Sequence, residues 1–477
     1  MSLEEEKHNR FKKGQMLIKK AQKFILKKRY SKARELLYEA QEIFEFTESS
    51  LTEGKVFASI AETFEIQHMW DNALKFYQNA LEKRKIAGSV ILLSETHRKL
   101  AIVQMELKNF EMAHASAQKS IDLVENLEHP LSKAEAFHTQ GIIYLKELDY
   151  ESALFYENFA YENVQIQLSW NLALDIFENL AFIHYNIGDY SQSNIFCKKA
   201  LEMEQKQRNY VVISTILELM ALNYRLLGKI DQALTYIKDA LSIQAHLNPD
   251  IALKQKNKMK LNYATILFDC HKFSEAEIIA EELIEQAELS QDSEQLVQGL
   301  LVMVKIIMAL PTHEEFSNTK HYLEEAKKLA HTLKNQEYLT EIYIYYGRYY
   351  DLSSERLKAE EMYQLAIDTA MISQSKLKIG EAFEQFGLYF HKHKKMELAH
   401  TNFKQAVQYL SKTHNNMDLA EAHYNLACTC SVLHLGEDIL THLSQAINLD
   451  PKYKQIAKMD EDFTGISTQE VFRNLVE

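Results

Sequence analysis

Cys428 and Cys430, one residue apart, and the His391-Lys392-His393 run with Glu384 seven residues before it come nearest to a reactive constellation in this chain. Thiolate sites for zinc need cysteine pairs two to four residues apart and a second pair to complete the shell. A lone Cys-x-Cys supplies neither. Cys430 and Cys197 also fall where an internal repeat places apolar core residues, so structural thiols are expected. Glu384 and His391 share one helix face and could join a carboxylate to an imidazole. The plainer reading is a solvated cationic helix end, where His and Lys are favoured by the helix dipole. No HExxH, phosphate loop, G-x-S-x-G or dinucleotide fingerprint occurs. The residues therefore predict a protein that is not an enzyme and holds no metal and no cofactor.

The elements carrying these side chains follow from composition. In 477 residues there are 12 Gly and 4 Pro, too few turn formers for a strand-rich or loop-rich fold, and the remainder favours helix. Hydrophobic residues make up 46% and are evenly spread, which excludes disorder, and no apolar run is long enough to span a membrane. The start, MSLEEEKHNRFKKG, lacks a secretory apolar core, and four cysteines make no disulfide framework, so a cytoplasmic location is expected. Net charge is −13, making nucleic acid an unlikely partner. Residues 7–34 depart from this with twelve Lys or Arg and no acid, read as a solvated first helix pair.

A small residue, another twelve later and a third seven beyond that recur through the chain. The first three copies are Ala21, Ala33, Ala40, then Ala61, Ala73, Ala80, then Ala101, Ala113, Ser120. The step stays at 40 residues through Gly141, Ala181 and Ala221, then becomes 43 to Ala264 and to a weak copy at Ile307. It returns to 40 through Gly347, Gly387 and Ala427, giving eleven copies. A period in this range denotes a solenoid, each copy two antiparallel helices with small residues where the axes cross. Ser, Asp or Glu ten residues past the first small position (Ser191, Glu151, Ser317, Glu437) should cap or charge-stabilise the second helix. The aromatic or aliphatic residue before it (Tyr150, Tyr190) should staple that helix, and Gly188 and Gly228 should end the first.

These residues resemble the tetratricopeptide repeat in its 40-residue form. The resemblance implies an all-α fold, a right-handed superhelical solenoid of about eleven helix-turn-helix repeats. Residues 1–13 would be a lead-in, 14–453 the array, irregular at 257–339, and 454–477 a C-terminal cap. The end, with Asp450-Pro451, Asp460, Glu461, Asp462, Phe463 and Phe472, resembles the segment closing many bacterial arrays, which implies a bacterial source. It would cover the apolar end of the solenoid.

The family binds peptides or partner domains on a concave wall made by the first helices. Positions six, three and two before the small residue and one, four and five after it should face inward. The candidate binding residues are Glu178, Asn179, Phe182, Tyr185, Asn186, Glu218, Arg225, Asn262, Leu301, Val304, Met308, Glu341, Tyr345, Arg348, Glu384 and Asn425. Asn179, Asn262 and Asn425 share one repeat position, where related arrays grip a peptide backbone, because an amide both donates and accepts. Acids six before the small residue (Asp175, Glu341, Glu381, Glu421) suit either a basic ligand or simply the first turn of a helix. Residues 295–311 are apolar on every side and need cover from neighbouring helices or from a second protomer, so a homodimer through them is one expectation. The next helix holds six Tyr, a type enriched at interfaces. The expected function is a non-catalytic adaptor whose groove holds a protein or extended peptide; the alternative is a sensor for a small signalling peptide that regulates a partner.

Overall fold

The structure, a computed structural model, describes residues 3–166, 169–244, 249–309, 313–413 and 415–477, with side chains placed for all of these except residues 3, 249–254, 313–315, 317 and 437. The described residues are all-α, a solenoid of helical hairpins. In the first copy the helices are Leu3–Leu26 and Tyr30–Phe46, in the fourth Pro130–Lys146 and Tyr150–Asn163, in the tenth Lys376–Lys392 and Met396–Leu410, and in the eleventh Asn416–Val432 and Glu437–Leu449. Residues 3–13 continue the first helix of copy one, and Phe11 packs edge-on against Phe44 of the second at 5.4 Å. After copy eleven come Lys452–Met459, a 3-10 turn at Glu461–Phe463 and Glu470–Val476.

Compact units run from Met1 to His184 and from Tyr185 to Glu477. In the first, Phe44, Val56, Ile60, Tyr77 and Val103 build the core. In the second, a continuous core runs from Val297 to Val476 and takes in the terminal Phe463 and Phe472. The small positions of the repeat are buried in both, as Ala33, Ala73, Ala113 and Ala153 show in one and Ala233, Ala276, Ala359 and Ala399 in the other.

The turn chemistry differs from expectation in one respect. The second helix of copies three, four and five is capped by Asn109, Asp149 and Asp189, whose side chains accept from the backbone N–H of Met112, Ser152 and Gln192 at 3.3, 3.1 and 3.0 Å. The cap thus stands two residues before Glu111, Glu151 and Ser191, which occupy the first helical turn, where the two glutamates act on the dipole. Tyr150 and Tyr190 are the first helical residues rather than staples ahead of the cap. The side chains of Ser317 and Glu437 lie outside the described residues.

Gly188 and Gly228 do end first helices with left-handed backbone, φ 82° and 68°. The same turn is imposed without glycine on Lys28, His68, Lys108, Leu148, His271, Ser354, Lys394 and His434, with φ between 55° and 63°. The gain is the Schellman pair of hydrogen bonds, Lys28 N–H to Ile25 O and Arg29 N–H to Phe24 O in copy one, which closes the helix end whatever the side chain.

Candidate binding wall

Close approach of paired helices sets the wall. A Cβ on Gly387 would stand 2.6 Å from a ring carbon of Phe403, and one on Gly347 would stand 2.8 Å from Tyr363. Glycine at these crossings lets the second helix push a full aromatic ring against the backbone of the first. The first helices of copies three and four touch each other in one unit, and those of copies six to eleven touch in succession in the other. Second helices make no comparable contact with one another among the described residues, so the first helices form the closely spaced inner surface.

In the unit ending at His184, Phe182 is 46% exposed on this surface, edge-on to Tyr150 at 6.2 Å, and Glu178 is half-buried beside it. Asn179 donates from Nδ2 to Glu157 Oε1 at 2.8 Å. Glu157 comes from the second helix of copy four through the space Gly141 leaves open, and it also meets His138 Nδ1 at 3.0 Å.

In the other unit the shared asparagine position repeats this use. Asn262 donates to Glu218 Oε1 at 2.7 Å, and Asn425 donates to Glu384 Oε1 at 3.3 Å. Both carboxylates are buried and stand three before the small residue of the preceding copy, so the amides link neighbouring first helices. Tyr185 packs on Tyr190 at 5.9 Å, with Asn186 half-buried next to it, and Arg225 Nε meets Asp269 Oδ2 at 2.5 Å. Arg348 lies over the buried Tyr345 ring at 5.8 Å and donates to Gln385 Oε1 at 2.6 Å.

No family model matches the chain, and no curated protein matches it. Among solved structures it is similar to the apo form of RapI, at 14% identity over 58% of this chain and 97% of that one, TM-score 0.47. It is similar to a Rap protein complexed with competence and sporulation factor, at 14% identity over 85% and 99%, TM-score 0.45. A tetratricopeptide repeat protein from Parabacteroides merdae ATCC 43184 shows 17% identity over 61% and 99%, TM-score 0.38. The chain is a helical-repeat protein whose hairpins resemble the tetratricopeptide kind.

One group of expected wall residues in this helical array is placed elsewhere. Leu301 and Val304 are buried in the continuous core with Leu323, Ala326, Leu339 and Ile342, so they do not face a groove. The apolar stretch 295–311 is covered over its described part by its own second helix and by copies seven and nine, with Gly299 admitting Ile284. Of the two expected kinds of cover, neighbouring helices provide it over the described part; residues 310 and 311 lie outside the described residues. Met308 keeps the inward position and lines a cavity of about 210 Å³ with Arg348, Asp351, Gln385 and Leu388. His391 departs from the solvated helix end read from the sequence: it sits under the C-terminal segment with Nε2 2.9 Å from Asp462.

Charge collects where copies nine to eleven meet. Lys378 bridges Glu381 at 2.8 Å and Glu341 at 3.6 Å. Burial works against the Lys378 charge, but Glu341 and Glu381 outweigh it and raise its pKa. Burial raises the Glu381 carboxyl, and burial followed by Glu421 and Asp418 raises Glu384 well above its ordinary range. Asp418 is pushed up to about 7 by burial and then by Glu381 and Glu421. Sequence reasoning missed Asp418 and Lys378, which stand nine before the small residue, one helical turn beyond the inward set. A second cavity of about 740 Å³ has Tyr190, Arg225 and Asp269 on one side and Asn416, Met417 and Lys452 on the other, brought together by the winding of this unit.

Proposed function

We propose that this protein is a non-catalytic adaptor whose inner wall in residues 185–477 takes an extended segment of a partner protein, and that the segment presents basic side chains. The observation carrying this reading is the Glu381, Glu384, Asp418 set, three carboxyls with raised pKa values, Glu384 buried and the other two half-buried, with Lys378 bridging only Glu381 of the three. Folding a helical hairpin needs no buried acid, and apolar side chains would cost less there. Groups held this way cluster at sites that act on something. A Lys or Arg from a partner would supply the missing cation and draw the carboxyls into their charged form.

The test is fluorescence anisotropy with labelled basic, neutral and acidic peptides of equal length on the full chain. Basic peptides should bind tightest, and Glu384→Gln should weaken them at least tenfold while leaving the helical circular dichroism unchanged. Equal affinity for all three peptides, or turnover of a substrate by the purified protein, would remove the proposal. A second reading, a sensor for a small signalling peptide, is favoured by the 740 Å³ cavity, because a ligand bridging its two sides changes the pitch of the unit. Contraction in solution scattering on peptide addition distinguishes it from a static adaptor.

A further inference from the structure

The C-terminal segment does more than close an apolar end. Its 3-10 turn lies on the inward positions of copies ten and eleven. Tyr424, Cys428 and Ser431 share one face of the first helix of copy eleven, and Cys428 directly follows the small Ala427, where the repeat points side chains inward. The Tyr424 hydroxyl donates to Asp460 Oδ2 at 2.5 Å, and Cys428 Sγ lies 3.7 Å from the same oxygen. Ser431 donates to the main-chain oxygen of Asp462 at 2.7 Å, and His391 Nε2 reaches Asp462 Oδ2 at 2.9 Å. One donor atom from each of Cys428, Asp460 and Asp462 falls within 4.8 Å of the others.

We propose that Cys428, Asp460 and Asp462 form a binding site for a zinc-class divalent cation that fastens the C-terminal segment to the last repeat. The donor set argues for the class. A thiolate selects zinc-like ions over magnesium or calcium, which require oxygen. Spacing agrees, because sulfur and oxygen at tetrahedral zinc bond lengths stand about 3.6 Å apart. The donors come from two separate elements, the end of the first helix of copy eleven and the 3-10 turn with its capping Asp460, so one ion would tie the two. His391 stands outside the donor set and holds Asp462 by its hydrogen bond. Cys428 binds as thiolate with its proton passing to solvent.

Cys430 serves as an internal control. It is buried two residues away, and its sulfur faces His400 Nδ1 at 3.7 Å, outside the donor set. The experiment uses the full-length chain without a histidine tag, stripped by chelator and titrated with cobalt(II) and then zinc(II). The expected result is an equimolar thiolate-to-cobalt charge-transfer band that zinc abolishes, together with a higher thermal midpoint. Cys428→Ser loses the band and Cys430→Ser keeps it. Asp462→Asn, on the half-exposed turn, folds as the parent does and binds cobalt at least tenfold more weakly. Absence of the band at saturating cobalt, or a band lost in Cys430→Ser and kept in Cys428→Ser, overturns the proposal.

Discussion

Glu157 reaches His138 with its carboxylate 3.0 Å from Nδ1, and Glu157 is fully buried, so the two form an ion pair inside a hairpin of the Met1–His184 unit. Burial alone would lower the His138 pKa, but Glu157 outweighs it and raises it. A raised folded-state pKa makes the contribution complete below the ordinary histidine range and lost as pH rises through the folded value. The unit should therefore lose stability as pH rises above about 6.5. Glu157→Gln should remove that loss at high pH, because burial then holds the His138 imidazole neutral, and should cost about 1–3 kcal/mol for the buried charge-assisted hydrogen bond that is lost. Urea unfolding at pH 5.5 and 8 tests both statements.

Asp418 has the same sign for a different reason. Its folded pKa of about 7 lies above the ordinary carboxyl value, so the stability tied to its proton is full near pH 4 and lost as pH passes 7. Asp418→Asn mimics the protonated form and can still meet Asn415, which donates to Oδ2 at 2.7 Å. The variant should be more stable than the parent at pH 8 and nearly equal to it at pH 4, read from thermal midpoints. Equal destabilisation at both pH values would refute the assignment.

At the crossing of copy ten, Gly387→Ala should destabilise by about 1–3 kcal/mol, since Phe403 is buried and cannot retreat from a Cβ 2.6 Å away. Pairing it with Phe403→Leu should recover part of the loss, a coupling that a double-mutant cycle measures directly.

Leu148 offers the opposite case. It holds φ at 62° with its side chain 67% exposed, so it carries left-handed strain and gains little from contact. Leu148→Gly should raise the urea midpoint, by a free energy of up to about 1 kcal/mol, with the m-value unchanged. A lower midpoint would mean that the exposed leucine makes contacts that outweigh its strain.

The sequence by itself determined the hairpins and their alternation. A small residue at a helix crossing is a local requirement, met by the same types at Ala33, Ala73 and Ala113, and the 40-residue step writes it out directly. Position relative to that residue also marks Asn179, Asn262 and Asn425 as equivalents, and each donates to a carboxylate of a neighbouring copy. Position did not tell which carboxylate each would meet. Asn262 finds Glu218, Asn425 finds Glu384, and the C-terminal turn settles over His391 and Cys428 only after successive hairpins have rotated into place. Leu301 and Val304 do not line the groove, because they pack into the core with Leu323, Ala326, Leu339 and Ile342, partners that only the folded arrangement supplies. Repeat register is a property of one hairpin, read along the chain; contact across the wall depends on the accumulated rotation between hairpins, which no single stretch of sequence encodes.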